Sequence, residues 1–254
     1  MATVPYSTDT DRGETRFFFT MACVMAVTIV AGFLFNILAG RSSFGMPLVV
    51  HVHAWIMMSW IGLYLAQNYF VASDNIGLHR KLGWLSALWV PAMVAMGFVI
   101  TSYSLRSGGA PPFFGENEFL FGNPMELVTV GVLIGWAVAV RKNTGWHRRL
   151  MYCSFALLTG PGISRFVPVI LFEPYSWWFA IGITTIFPII GMMADKRRYG
   201  RVHPAWLCGI GLLVAVEVSA MLVAYSSFGV EFTKQFVAGT PGAVRSMAAF
   251  IPPV

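Results

Sequence analysis

Long apolar stretches constrain the fold of this chain more than any other feature. A backbone inside lipid must satisfy its own hydrogen bonds, and about 20 helical residues match a ~30 Å hydrocarbon core. We therefore expect an all-α integral membrane protein, a seven-transmembrane-helix bundle that forms one domain over residues 1–254. The predicted helices cover residues 17–40, 47–72, 82–103, 124–140, 150–172, 174–194 and 204–225.

The composition agrees with contact to a lipid bilayer. The chain is 57% hydrophobic and 11% charged, whereas soluble domains carry about 25% charged residues. The net charge of +6 follows from the sorting of basic residues between membrane sides, so no nucleic acid partner is expected. The cysteines, Cys23, Cys153 and Cys208, lie in separate apolar runs, which argues against a disulfide framework or a zinc knuckle.

The distribution of lysine and arginine predicts the orientation, because cytoplasmic loops retain these residues. The predicted outer side has Arg41, Arg106, Lys234 and Arg245, and Arg165 lies within a span. The predicted inner side has many more: Arg12, Arg16, Arg80, Lys81, Arg141, Lys142, Arg148, Arg149, Lys196, Arg197, Arg198 and Arg201. We expect a multi-pass protein of the bacterial inner (cytoplasmic) membrane, with the N-terminus cytoplasmic and the C-terminus outside.

Three predicted cytoplasmic turns resemble one another. They read DNIGLHRKL, KNTGWHRRL and RYGRVHPAW, with His79, His147 and His203 at matching positions. We expect three helical hairpins after the first helix, each with a returning helix that begins at its histidine.

Three histidines at one membrane level suggest a cofactor site. Neutral imidazole is the usual axial ligand of heme b and a common ligand of transition metals. Two of His79, His147 and His203 would be ligands of a b-type heme or a metal, and the third a hydrogen-bond partner. The alternative is that they cap helices and anchor the turns at the lipid interface.

A second polar layer is expected in the outer half of the membrane. His53, Arg165 and Glu217 lie about 9 to 14 Å below the outer helix ends at 1.5 Å per residue. A charge in lipid normally faces the bundle and is paired, so we expect an Arg165–Glu217 ion pair. Gln67 follows the stripe of His53, and Glu126 begins the fourth helix. The alternative is a polar clamp that fixes helix packing.

The sequence predicts local structure in three further segments. Pro161, between two glycines, predicts a kink in helix 150–172 just before Arg165. The outer loop 104–123, with Glu116 and Glu118, suits a connector at the membrane surface or a cover over a pocket. The outer tail 226–254 suits a short interfacial helix.

The segment from about residue 49 to 168 resembles an uncharacterised family of bacterial multi-pass membrane proteins. The resemblance rests on His53 with Gln67, the HRKLG turn at His79, the HRRLM turn at His147, and Arg165. It implies no activity. The hairpin layout is remotely similar to cytochrome b561-type bundles, but only one helix offers histidine at the outer level, so a two-heme relay is not expected.

These patterns favour a membrane-embedded redox protein. One heme b or transition metal would lie at the inner histidines. The outer layer of Arg165, Glu217 and His53, with Gln67, would bind a quinol or another small lipophilic reductant or move its proton. An alternative is an enzyme on a lipophilic substrate, such as a cyclase or isomerase, with Glu217 or Glu126 as acid or base and Arg165 holding an anionic group. Further alternatives are a proton-coupled transporter hinged at Pro161 and a non-catalytic assembly subunit with a membrane protein partner or a second copy.

Overall fold

The computed structural model describes residues 9–249 of the chain, and the regular structure in this part is entirely helical. The α-helices are α1 (Asp9–Leu38), α2 (Leu48–Ala72), α3 (Ile76–Gly83), α4 (Leu85–Ser107), α5 (Glu116–Ala139), α6 (Thr144–Leu157), α7 (Gly160–Ile163), α8 (Ser176–Thr184), α9 (Ile186–Tyr199), α10 (Pro204–Ala224) and α11 (Ser227–Val237). Two single 3-10 turns, Val169–Phe172 and Pro241–Val244, complete it. The first half of the polar N-terminal stretch and the last residues of the tail lie outside the described residues.

In the described part, 6 helices are long and apolar enough to cross a membrane. They are α1 from Arg12, α2, α4, α5, α10, and α8 with α9 taken together. The all-helical membrane architecture agrees with the sequence. The difference lies in the predicted helix 150–172, which is divided among α6, α7 and a 3-10 turn.

The break in that helix follows from its glycines and proline. Pro161 supplies no backbone N–H and lies at the start of α7. The backbone of Gly162 touches α1 so closely that a Cβ there would lie 2.7 Å from the Cα of Ile29, and a Cβ at Gly32 would lie 2.2 Å from the Gly162 carbonyl oxygen. The sequence therefore predicted an irregularity at this place but not its extent. The helix is not merely kinked: it ends at Leu157, and α7 forms one separate turn.

Helix α5 holds the centre of the bundle and packs against α4, α6 and α10. Its buried side chains include Glu126, Val130, Leu133 and Ala137, a spacing of three and four residues that places them on one face. Helix α10 buries a matching stripe: Trp206, Gly209, Leu213, Glu217, Ala220 and Ala224. Each of the two facing stripes therefore contains one carboxylate.

The predicted stripe of α2 also faces the bundle. Trp60 and Tyr64 are buried, Met57 packs against the core, and the Tyr64 ring stacks on Phe155 of α6 with 3.9 Å between centroids. Gln67 and His53 are half-buried on the same helix.

The first two inner turns share their local geometry. The side chain of Asn75 accepts a hydrogen bond from the Leu78 amide, and Asn143 accepts one from the Trp146 amide. The returning helix does not begin at His79, however, because α3 is a separate helix that ends at Gly83 before α4 starts. His147 lies in the first turn of α6, and His203 caps α10 through its own ring nitrogen.

The outer connections are more helical than predicted. Helix α4 continues to Ser107 and α5 begins at Glu116, so the predicted loop 104–123 shortens to residues 108–115. Acidic side chains in a first helical turn are favourable, and Glu116 and Glu118 occupy that turn. The expected short helix of the tail is present as α11.

Candidate functional site

A pair of carboxylates lies buried between α5 and α10. Glu217 is 0% exposed and Glu126 is 9% exposed, and the two are close enough for their charges to interact. Both belong to helices that are long and apolar enough to span a membrane. The two residues that the sequence offered as separate acid–base candidates therefore form one site.

Aromatic rings close the outer side of this site. The Trp177 indole N–H donates to Glu217 Oε2 at 3.1 Å, and Glu217 Oε1 has no hydrogen-bond partner in the described structure. The ring of Phe114, from the shortened outer loop, meets Trp177 edge to face with 4.7 Å between centroids. Gly122 leaves room for the indole, since a Cβ there would lie 2.0 Å from Trp177 Cζ2. The shortened outer loop thus covers the Trp177 indole, which donates a hydrogen bond to Glu217.

The broken segment runs past the same carboxylates. A Cβ on Gly160 would lie 3.8 Å from Glu126 Oε1 and 3.2 Å from Thr184 Cγ2. The helix interruption and the carboxylate pair are therefore neighbours, and a larger side chain at position 160 would press on Thr184.

The predicted ion pair between Arg165 and Glu217 does not form. Because the helix breaks at α7, Arg165 does not continue the line of α6 and instead lies against α1, with its guanidinium carbon 3.9 Å from the ring centroid of Phe33. Its NH1 group donates to the Pro161 carbonyl. Among the described residues, neither carboxylate of the pair forms a salt bridge.

His53 is close enough to Arg165 for their charges to interact. His53 Nδ1 is buried without a hydrogen-bond partner in the described structure. The predicted outer layer therefore divides into two sites: Glu126 with Glu217, and His53 with Arg165.

At the inner side, His79 and His147 are neighbours with ring centroids 6.3 Å apart. The Gln67 amide nitrogen donates to His79 Nδ1 at 2.5 Å, which makes that nitrogen an acceptor. His147 Nδ1 lies 2.8 Å from the Ala137 carbonyl oxygen, so it carries the proton and donates. The lone pair of His147 is consequently on Nε2.

His203 stands apart from the other two histidines. Its ring contacts Trp146, with 5.5 Å between centroids, and its Nδ1 accepts from the Ala205 amide at 3.1 Å. Within residues 9–249, no group of three histidine, cysteine or acidic side chains is arranged to hold a metal ion. The three histidines thus do not converge on one point.

All three rings favour the neutral form. Burial lowers the pKa of His79, His147 and His203 below the ordinary histidine value. Neighbouring positive charge acts in the same direction, from Arg141 on His147 and from Arg149 on His203. At neutral pH these are uncharged imidazoles.

Sequence reasoning missed a buried ionic cluster at the inner ends of α1, α6 and α9. Arg149, 2% exposed, bonds Asp195 through Nε at 2.8 Å and NH2 at 2.6 Å, and Glu14 through NH2 at 2.8 Å. Arg148 also pairs with Glu14 at 2.8 Å. One signal was present: Asp195 lies near a helix C-terminus, where a negative charge is unfavourable unless a cation from elsewhere neutralises it.

The carboxylates of this ionic cluster accept further hydrogen bonds. Tyr199 donates its hydroxyl to Glu14 at 2.7 Å, and the Trp206 indole donates to Asp195 at 2.8 Å. The cluster therefore joins four helices and leaves its carboxylates well paired.

Comparison of the chain with protein-family models, with curated proteins and with solved structures gives no match.

Proposed function

We propose that the chain crosses the inner (cytoplasmic) membrane seven times, with its N-terminus in the cytoplasm, and that α6, α7 and the following turn together make the fifth crossing. The segment follows α1 from the Arg149–Glu14 pair to the contact of Phe166 with Phe35, whose ring centroids are 5.5 Å apart. From Glu14 to Phe35, α1 rises about 30 Å at 1.5 Å per residue, which is the thickness of a hydrocarbon core.

The function that this geometry favours is proton-coupled transport through the Glu126–Glu217 site. The observation that carries the proposal is two buried carboxylates from different helices without a cation in the described structure. Two like charges in a low-dielectric site cannot both ionise at acceptable cost, so the pair keeps a proton between them. Such a pair can take up and release that proton when a neighbour moves.

The broken segment supplies the moving neighbour. Interrupted helices mark the substrate and ion sites of many transporters, because their free ends can bind ligands and their breaks can flex. Here α7 starts at Gly160, next to Glu126. A change in the position of α7 would alter the surroundings of Glu126 and thereby its proton affinity. Movement of the segment would then be coupled to binding and release of the proton.

An infrared titration of the purified protein tests the shared proton directly. We expect the carbonyl band of a buried protonated carboxyl at neutral pH in the wild type and in Glu231→Gln, a control at an exposed glutamate of α11. The band should be absent from the double variant Glu126→Gln/Glu217→Gln. If the wild type lacks the band, the proton-sharing site is refuted.

Proteoliposomes with an internal pH-sensitive dye then test transport. A small-molecule extract of the source cells, added outside, should drive proton uptake in the wild type and in Glu231→Gln. Loss of one general acid–base group commonly costs a factor of about 100 or more, and we expect Glu217→Gln to lose a comparable share of the flux. If the extract is chemically converted while no proton moves, the same carboxylates serve an acid–base enzyme instead.

A second function, redox chemistry with a heme b or a transition metal, is favoured by His79 and His147. They are adjacent neutral imidazoles, and a hydrogen bond from the other ring nitrogen, as His147 makes to Ala137, is the usual support of a ligating histidine. His147 would hold the group through Nε2, and His79, whose Nδ1 already accepts from Gln67, would be its neighbour. The group would supply electron transfer from a quinol or another lipophilic reductant. His203 would take no part, since it binds the Ala205 amide.

An absorption spectrum with metal analysis tests this second function. If it is correct, His147→Ala should lose the Soret band or the bound metal, while His203→Ala should retain it. A wild-type protein that carries neither heme nor stoichiometric metal after expression in a heme-replete host would contradict it.

A further inference from the structure

Arg165 and His53 form a polar site on the outer part of the bundle, separate from the carboxylate pair. The Arg165 guanidinium carbon lies 3.9 Å from the ring centroid of Phe33 on α1, and Arg165 is close enough to His53 of α2 for its charge to act on that ring. Residues 160–165 run between the two sites, with Gly160 toward Glu126 and Gly162 toward α1.

Two nitrogens of this site have nothing to bind. Arg165 Nε and His53 Nδ1 are both buried and without a hydrogen-bond partner in the described structure, and Arg165 forms no salt bridge with a described residue. The Phe33 ring attracts the cation through its π face, but it satisfies neither N–H group. An intramembrane arginine without a counterion is expensive and is normally matched by an anionic partner.

The position of the site indicates what kind of molecule that partner is. Phe33 precedes the end of α1 at Leu38 by five residues, about 8 Å at helical rise. Two exposed phenylalanines lie beside Arg165, since Phe166 follows it in the chain and meets Phe35 with 5.5 Å between ring centroids. A ligand with an anionic head at this depth would have an apolar body along these side chains.

We propose that Arg165 and His53 bind the anionic oxygens of an amphiphile from the outer leaflet, either a fatty-acid carboxylate or a phospholipid phosphate. Arginine recognises both groups through paired N–H donors on one edge of its guanidinium, and Nε is one of those donors. His53 Nδ1 supplies a third donor. The site does not depend on the proposed proton transport, since it uses neither carboxylate.

Binding can be measured by native mass spectrometry of the protein in a neutral maltoside detergent. The probes are oleate at pH 8, phosphatidylglycerol, phosphatidylcholine and methyl oleate. We expect one retained oleate or phosphatidylglycerol, at least tenfold tighter than the uncharged or zwitterionic probe with the same chains, because a hydrogen bond to a charged group contributes about 1.5–3 kcal/mol. Preference for oleate identifies a free fatty acid, and preference for phosphatidylglycerol a membrane lipid.

Matched variants locate the site. Arg165→Gln should lose about tenfold or more in affinity for the anionic probe, and His53→Ala a smaller factor. Arg41→Gln removes another outer arginine, whose guanidinium carbon lies 5.7 Å from the Phe35 ring centroid, and should change the affinity less than twofold. Equal loss in Arg41→Gln would overturn the site. Equal binding of all four probes by the wild type would overturn the proposal even if Arg165→Gln fails to fold.

Discussion

Two pairs of buried carboxylates lie at different levels of the bundle, and they differ in whether a cation neutralises them. At the inner level, Glu14 and Asp195 share Arg149, and they also accept hydrogen bonds from hydroxyl, indole and backbone donors. At the outer level, Glu126 and Glu217 face each other, with one indole N–H as the observed donor. The inner carboxylates have a counterion within the described structure, and the outer ones do not.

The contrast separates a structural role from a functional one. A buried charge that is fully paired stays ionised and holds its helices in place, whereas breaking such a pair leaves an uncompensated charge. A buried carboxylate without a cation can lose its negative charge by binding a proton. The inner ionic cluster is therefore expected to matter for stability, and the outer pair for proton chemistry.

The largest expected effect comes from removing the central cation of the inner cluster. Arg149→Met leaves Asp195 buried without its counterion, and breaking a buried pair costs about 3–5 kcal/mol. The half-exposed Arg148 has the same partner, Glu14, yet Arg148→Met should cost no more than about 1 kcal/mol because exposed pairs contribute little. Thermal unfolding of both variants in detergent measures the difference, and equal losses would contradict a special role of the buried cation.

The sequence predicted the helices far better than their polar contacts. Apolar runs of spanning length determine where a helix can lie in lipid, and most of the predicted spans agree with observed helices to within several residues. The Arg165–Glu217 pair was wrong because it assumed one continuous helix through Pro161. The ionic cluster was missed because Glu14, Arg149 and Asp195 are distant in sequence, and only tertiary packing brings them together.

The sequence indicated which residues form the outer polar layer, but it did not predict that they divide into two separate sites. Glu126, Glu217, His53 and Arg165 were all recognisable as polar groups in apolar helices. Their division into two sites depends on the break at α7, whose direction is set by the close backbone contact of Gly162 with Ile29. A sequence shows that such a break exists but does not show which neighbour it meets.

An effect of intermediate size is expected from a matched pair of amide substitutions, one at each level. Asp195→Asn removes the negative partner of Arg149 and should cost about 3 kcal/mol of unfolding free energy. Glu217→Gln removes a carboxyl group that has no counterion among the described residues, and the amide oxygen can still accept from the Trp177 indole, so stability should change by less than about 1 kcal/mol. If Glu217→Gln unfolds as readily as Asp195→Asn, Glu217 has a charged partner in the native protein, and the contrast between the two levels fails.

The smallest effect concerns His79 and His147, whose burial disfavours the charged form of the ring. Because burial lowers the pKa of His79 and His147 from the ordinary value of 6.5, the unfolded chain binds protons below pH 6.5 that the folded protein does not. Stability should therefore fall as the pH drops below 6.5, until the folded state also becomes protonated.

His79→Gln should reduce this acid sensitivity in thermal unfolding at pH 7.5, 6.5 and 5.5. Acid sensitivity that is identical in His79→Gln and the wild type would show that the decline comes from other groups, with the carboxylates of the ionic cluster as the next to test.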